Sequence, residues 1–238
     1  MKDLLSLAIE AHGGLERWSR VKAVTVAASV TGETWKVKGR PDYLKDVVFD
    51  VETMRQRVTV DFVGQDKRSV FEPNRVEIRR RDGTFVGARE DPEASLQRQG
   101  PLAPWDDLDI AYFSGEALYA YVNTPFLYTY AGFTSEEIAP IRVDGEDWRR
   151  LRVTFPDTVK SHTRTQISCF GSDGMLRRHD YVVDILAGTP GLNYASDYRE
   201  VDGIIFPTTR RVYAYEDDYR RGERLLVQII MGEITLHR

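Results

Sequence analysis

Apolar residues recur along this chain with two periods, and the switch between them divides helical from extended parts. Leu4, Leu5, Ala8, Ile9 and His12 fall on one helical face. Asp3 stands at the N-cap position, and Gly13-Gly14 supplies a left-handed stop. A second short helix is predicted over 15–20, presenting Leu15 and Trp18. From Val21 the period becomes two. Val24, Val26, Ala28 and Val30 alternate with small or polar neighbours, and Trp35 and Val37 continue the alternation after a Thr31-Gly32 turn. Val47, Phe49 and Val51, then Val58, Val60 and Phe62, then Val76 and Ile78 repeat it. Short alternating strands joined by Gly, Asp and Asn turns predict an antiparallel meander with one face on a core. No strand–helix–strand alternation supports a Rossmann-type sheet.

The meander is interrupted between Gly87 and Asn123. Asp91-Pro92-Glu93 reads as cap, first-turn proline and first-turn acid of a helix that runs to Arg98 and stops at Gly100-Pro101. A longer helix follows Trp105, with Asp106 as its cap and Asp107 and Asp109 complementing its dipole. Leu108, Ala111, Tyr112, Gly115, Tyr119 and Val122 form one apolar stripe on it. Ile110, Phe113, Ala117 and Tyr121 form a second. A helix greasy on two sides needs contact on two sides. The sheet supplies one; a ligand, a second helix or a subunit supplies the other. Asn123-Thr124-Pro125 ends it.

Strands resume after Phe126, with an Asp144-Gly145 turn before Trp148, Leu151, Val153 and Phe155. Asp173-Gly174 reads as a two-residue hairpin loop between strands at 165–170 and 175–183. Strands at 194–200 and 204–215 are joined by Asp202-Gly203, the second broken near Pro207. A polar tip over 216–222 leads to a last strand that is apolar on both faces, which places it centrally or over a cavity. With no repeat, low-complexity tract or linker, residues 1–238 read as a single domain.

The segments Gly171-Ser172-Asp173-Gly174-Met175-Leu176, Asp180-Tyr181 and the hairpin from Asp197 to Pro207 follow one layout: strand, Asp-Gly turn, strand, then Tyr-x-x-Val-Asp-Gly-Ile-x-Phe-Pro. This layout resembles the lipoprotein-localisation-factor superfamily (LolA/LolB-like proteins). The opening run Ala11-His12-Gly13-Gly14-Leu15-Glu16-Arg17-Trp18 is similar to the helical start of related sequences. The resemblance implies a mainly β (α+β) fold, an open antiparallel half-barrel with N-terminal and central helices plugging its concave face. It also implies that the hollow takes acyl chains or other greasy molecules.

Composition narrows the function classes. With 37 acidic residues against 33 Lys and Arg, and the densest basic run only Arg79-Arg80-Arg81, no nucleic-acid footprint is present. No stretch of about 18 apolar residues exists to span a membrane. Asp3, Ser6 and Glu10 interrupt the first dozen residues, and no cysteine stands near the start to carry a lipid. The expectation is therefore a cytoplasmic protein, unlike the exported carriers of the superfamily. The lone Cys169 reads as a small buried hydrophobe. No His-x-His or His-x-x-x-His pattern supports a metal, and no Walker loop, dinucleotide fingerprint or nucleophile elbow is present, so no cofactor is expected.

Candidate chemistry gathers around His162 and the run Arg178-His179-Asp180-Tyr181. A two-residue loop pairs Ser168 with His179 and Gln166 with Tyr181, so that His162, Arg164, Gln166, Ser168, His179 and Tyr181 share one face with no acid among them. Read as function, this face is a polar patch inside the hollow that orients a head group or moves protons. Read as structure, it is a solvated hairpin face. Burial of His179 decides between them. The leading reading is a binder of an apolar or amphipathic, lipid-like small molecule, lined by Trp35, Phe49, Phe62, Trp105, Tyr112, Phe113, Tyr121, Phe126, Tyr213 and Tyr215. The alternatives are an enzyme of cyclase, isomerase or lyase type using His162, His179 and Tyr181 as acid–base groups, and a scaffold whose aromatic helix is an interface.

Overall fold

Short connections oblige consecutive strands to pair antiparallel, and thirteen strands do so in one sheet. The computed structural model describes residues 3–215 and 220–238. Helices α1 (Leu4–Ala11) and α2 (Leu15–Trp18) precede β1 (Ala23–Thr31), and a short helix α3 (Glu33–Val37) leads to β2 (Leu44–Glu52). β3 (Val58–Phe62), β4 (Arg68–Glu72), β5 (Arg75–Arg79) and β6 (Phe85–Glu90) complete a first wing. Helices α4 (Pro92–Gln99) and α5 (Asp107–Asn123) and a 3-10 turn, Phe126–Thr129, cross to the second wing. That wing comprises β7 (Thr134–Val143), β8 (Glu146–Thr154), β9 (Thr165–Phe170), β10 (Leu176–Val183), β11 (Thr189–Val201), β12 (Ile204–Tyr215) and β13 (Arg221–His237).

The strand order is β6-β5-β4-β3-β2-β1-β13-β12-β11-β10-β9-β8-β7. Each wing is a meander, and the pairing of β1 with β13 fuses them. β6 and β7 remain edges, so the sheet does not close into a barrel. The terminal strand, apolar on both faces in sequence, is indeed central. Among the described residues no helix is long and apolar enough to cross a membrane.

The concave face of the first wing is built in rows. Val24, Val51, Val58, Phe71 and Val76 stand side by side across β1 to β5, as do Val26, Phe49, Val60, Ser69 and Ile78. All ten are buried. α5 lies on these rows, held at its start by a capping box in which Asp106 and Asp109 exchange side-chain and backbone bonds. Buried Asp109 also receives Arg89 at 2.5 Å. Gly115 meets Phe71 so closely that a Cβ there would lie 2.3 Å from the ring. Tyr112 packs edge-on against the same ring at 5.7 Å.

The N-terminal helices plug the second wing. Trp18 stacks on Phe126 at 4.5 Å and donates to the Tyr130 hydroxyl at 2.8 Å. Asp202 (φ 49°) and Gly203 (φ 82°) form the two-residue hairpin read from sequence, and its tip docks on the end of α1. There the Ile205 amide donates to the His12 carbonyl at 3.0 Å. A Cβ on Gly13 would lie 2.1 Å from the Gly203 oxygen, so this contact requires glycine.

Several local expectations are corrected. Trp35 and Val37 lie in α3, not a strand, because the chain leaves Gly32 at φ 128° where it presses against Leu226 of β13. Asp91 holds the N-cap position of α4 ahead of Pro92, but at φ 46° it makes no side-chain cap bond. Pro207 does not break β12, since β13 pairs with that strand only from Thr209 onward and no ladder donor is missed. The loop after β9 is longer than two residues, yet a register shift between Leu176 and Arg178 restores the expected Ser168–His179 pair. Of the predicted polar tip, 216–219 lie outside the described residues and Arg221-Gly222 belong to β13.

Two predictions follow from this packing. Gly115→Ala gains about 1 kcal/mol of helix propensity but forces Phe71 aside, an overpacking cost of roughly 1–3 kcal/mol. The expected outcome of urea unfolding followed by tryptophan fluorescence is a net loss of stability; a gain refutes the close helix–sheet contact. The second concerns His12, which is buried, donates Nδ1–H to the Ala8 carbonyl at 2.7 Å and leaves Nε2 without a partner. Burial pushes its pKa down to about 4 against the opposing pull of that bond. The unfolded chain binds this proton below about pH 6.5 while the folded chain refuses it until about pH 4. Stability is therefore lost as pH falls through that window, by roughly 1 kcal/mol per pH unit. His12→Gln should flatten this slope in urea titrations between pH 6.5 and 4; an unchanged slope overturns the assignment.

Candidate functional site

The second side of α5 faces a cavity of about 340 Å³. Its walls are apolar: Phe113, Ala117 and Leu118 from α5, and Val30, Val212 and Ile229 from β1, β12 and β13. Trp35 on α3 closes one flank, edge-on to Phe113 at 6.0 Å. Val37, Leu102 and Leu226 line it too, and the first two are exposed, at 46% and 79%, which marks the mouth. Lys38 ties α3 to the 100–104 loop there, its ammonium bonding the Pro101 carbonyl at 2.7 Å and lying 4.3 Å from the Trp105 ring.

The floor is polar. His162, Tyr121 and Tyr181 line the cavity together, and the hydroxyls of the two tyrosines meet at 2.5 Å. His162 Nε2 stands 3.5 Å from the Tyr121 hydroxyl. Its Nδ1 lies 2.7 Å from Glu116 Oε1, with both side chains almost wholly buried. A carboxylate only accepts, so this bond places an imidazole proton on Nδ1, and in the neutral ring Nε2 is then the acceptor. Burial raises the Tyr121 hydroxyl to about 12, opposed by the Tyr181 bond and the Arg210 charge. Burial also raises Tyr181 well above the ordinary phenol range.

Beneath the tyrosines lies a second buried layer. His179, opposite Ser168 on one side and Asn193 on the other, is 1% exposed. That rules out a solvated hairpin face. The His179 ring nitrogens have no hydrogen-bond partner. Burial, with help from the Arg210 charge, pushes the His179 pKa down to about 3, so its ring is neutral. Arg210 is equally buried. It donates Nη2–H to the Tyr121 carbonyl at 2.9 Å and sits 4.8 Å from the Tyr121 ring, while Nε and Nη1 have no partner. Among the described residues no carboxylate pairs with it. On the other face of β10 the contrast is plain: Arg178 and Asp180 form a two-pronged pair at 2.6 and 2.8 Å under Trp148 and Tyr194.

The structure thus brings Trp35, Phe113, Tyr121, His162 and Tyr181 to one cavity and leaves other candidates outside its lining. Phe49 and Phe62 are core residues of β2 and β3, Phe62 against Tyr43 at 5.0 Å. Tyr112 packs toward Phe71, on the sheet side of α5. Trp105 lies behind Phe113 at 4.8 Å, and Phe126 is taken up by Trp18. Tyr213 points with alternate strand parity to the opposite face from Val212, meeting Tyr194 at 6.0 Å and Arg221 at 4.7 Å; Tyr215 has the same parity and is half-buried. His179 lies under the floor rather than in it. Arg164 turns outward to Asp157 at 2.9 Å. Sequence reasoning missed Glu116 and Arg210. The acid absent from the hairpin face comes from α5. An ionisable residue between two apolar stripes has no exposed side to occupy, and that was the available signal for Glu116.

No protein-family model matches the sequence, and no curated protein matches it. Among solved structures, the chain is similar to a LolA superfamily protein from Nitrosomonas europaea, with a TM-score of 0.54 and 11% identity over 98% of this chain and 92% of that one. A DUF1329 family protein from Desulfovibrio piger matches with a TM-score of 0.47 and 14% identity, over 98% and 91% of the two chains. A putative outer membrane lipoprotein-sorting protein domain from Vibrio parahaemolyticus matches at 0.46 and 9%, over 98% and 92%. At such identities the likeness speaks for the fold alone: the open thirteen-stranded sheet with its helix-filled concave face shares the fold of that LolA superfamily protein.

Proposed function

We propose that the protein binds an apolar or amphipathic small molecule in the cavity between α5, α3 and the sheet. The observation that carries this reading is the cavity of about 340 Å³ with apolar walls and a polar floor of three side chains. Ligand sites of globular proteins have this make-up: mostly apolar lining with a few convergent polar groups, in volumes of about 300–1,000 Å³. The volume lies at the low end of that range, which favours a compact molecule over several long chains. Transfer of apolar surface from water supplies about 25 cal/mol per Å², and the floor sets which end of the ligand enters first. Loss of association and ordering freedom consumes much of the gross gain.

The test uses N-phenyl-1-naphthylamine, whose fluorescence rises in apolar surroundings. Saturable binding with a Kd of about 1–100 µM is expected, a range that corresponds to roughly 5–8 kcal/mol. Ala117→Phe, which projects a ring from α5 into the cavity, should weaken it at least tenfold while leaving the unfolding midpoint unchanged or raised. Equal binding by Ala117→Phe refutes the cavity as the site. Native mass spectrometry of freshly purified protein should detect a co-purifying apolar mass that this variant lacks.

A further inference from the structure

We propose that the floor of this cavity is an acid–base catalytic site for an apolar carbonyl compound, with His162 moving a proton between carbon atoms and the Tyr121–Tyr181 pair holding the carbonyl oxygen. The inference rests on the binding reading above and adds chemistry to it.

The geometry supplies each part. Glu116 holds the proton on His162 Nδ1, so Nε2 presents its lone pair at the cavity floor. The 3.5 Å separation from the Tyr121 hydroxyl is too long for a strong hydrogen bond to consume that lone pair. The Tyr121 and Tyr181 hydroxyls share one hydrogen bond at 2.5 Å. One of their two protons lies between them, and the other turns to a substrate oxygen from its long resting contact with His162 Nε2. Both phenols are kept protonated by burial, and therefore kept as donors.

Arg210 separates this arrangement from an ordinary polar core. A buried guanidinium is normally matched by a carboxylate, and the protein does so with Arg178 and Asp180 on the opposite face of the sheet. Arg210, equally buried, lies against the Tyr121 ring with two nitrogens unpartnered and, among the described residues, no carboxylate paired with it. A positive charge left unneutralised behind two hydroxyl donors, away from water, stabilises negative charge that develops in front of them.

The step balances without any co-reactant. His162 Nε2 takes the proton from the carbon next to the carbonyl. The C–H electron pair becomes a C=C bond, and the carbonyl π pair moves onto oxygen, where the tyrosine O–H groups hold it. The proton then returns from Nε2 to the same carbon, or to the γ-carbon of an unsaturated substrate. Return to the same carbon exchanges that hydrogen with solvent, and return to the γ-carbon migrates the double bond. His162, Tyr121 and Tyr181 touch the substrate; Glu116 and Arg210 act through them as positioning residues.

The experiment follows deuterium uptake by 2-tetralone in buffered D2O by proton NMR, with binding measured separately by displacement of N-phenyl-1-naphthylamine. The intact protein is expected to accelerate exchange at least about 100-fold over buffer, the usual lower scale for a positioned acid–base group. His162→Gln should abolish the acceleration. Tyr181→Phe, nearly isosteric, should reduce it about tenfold or more, so the test does not depend on one buried histidine variant folding. Glu116→Gln should lower kcat with KM unchanged, a split that general loosening of the fold would not give. Displacement of the dye with exchange at the buffer rate overturns the catalytic inference and leaves the binding reading standing. Neither displacement nor exchange overturns both. Acceleration that survives in both His162→Gln and Tyr181→Phe overturns the assignment to this floor.

Discussion

Helix α5 has more apolar surface than one sheet can cover, and the rest of the molecule answers to that excess. Its Gly115 side presses so tightly on Phe71 that no side chain fits between them. The close approach fixes the depth of the helix in the trough of the first wing. Its other side, Phe113, Ala117 and Tyr121, is then too far from the second wing for direct interdigitation everywhere, and α3 with the 100–104 loop closes only the flank. Interiors pack at crystal-like density, so a gap of this size lined by aliphatic and aromatic groups is costly unless something fills it. The fusion of β1 with β13 makes the gap unavoidable. It sets both wings in one continuous curved sheet around a single helix, leaving neither free to collapse onto it alone.

The polar floor adds a second expense. Glu116, His162, His179, Asn193 and Arg210 all lie in the interior, and several of their atoms have no partner. Unsatisfied buried polar groups cost about 1–3 kcal/mol each. A fold optimised for stability would replace this layer by aliphatic side chains, as the rows under the other side of α5 do. Sequences break local rules mainly where function demands it, and His179 and Arg210 bring several of these atoms together beneath the cavity floor, while the unpartnered His12 Nε2 belongs to the end of α1. Arg178 and Asp180 mark the difference between structural and functional burial of charge, since there the same cost is offset by a two-pronged partner.

Much of this architecture was legible in the sequence, for identifiable reasons. Period two over β1 to β3, the capped and doubly striped α5, and the Asp202-Gly203 hairpin each state their geometry locally. The two-faced apolarity of β13 placed it centrally before any pairing was known. What was not legible depends on partners distant in sequence. Trp35 and Val37 keep strand spacing yet form a helix because β13 presses against Gly32. β4 and β6 went unread because their exposed sides are charged and their runs short. The candidate lining was overfilled with aromatics, since residue type cannot say which side of α5 or which face of β12 meets the void. Glu116 and Arg210 were overlooked because the search followed one hairpin, while the site joins that hairpin to a helix and to a strand two places away in the sheet.

The position of the polar groups constrains what can occupy the cavity. They stand at the closed end and the exposed apolar residues at the mouth, so a ligand that enters must bring its leading atoms to Tyr121, Tyr181 and His162. A plain hydrocarbon would add no partner to the tyrosine hydroxyls and His162 Nε2 and would exclude water from them, a penalty that offsets part of the gain from burying methylene groups. A molecule with one acceptor at its leading end would satisfy them while its apolar body fills the walls. Sites built with buried polar groups reject analogues that lack the matching atom far more sharply than apolar pockets reject a missing methylene. Under the binding reading proposed above, selectivity rests on the floor and affinity on the walls, and the charge of Arg210 biases the floor toward oxygen atoms that carry, or can acquire, negative charge.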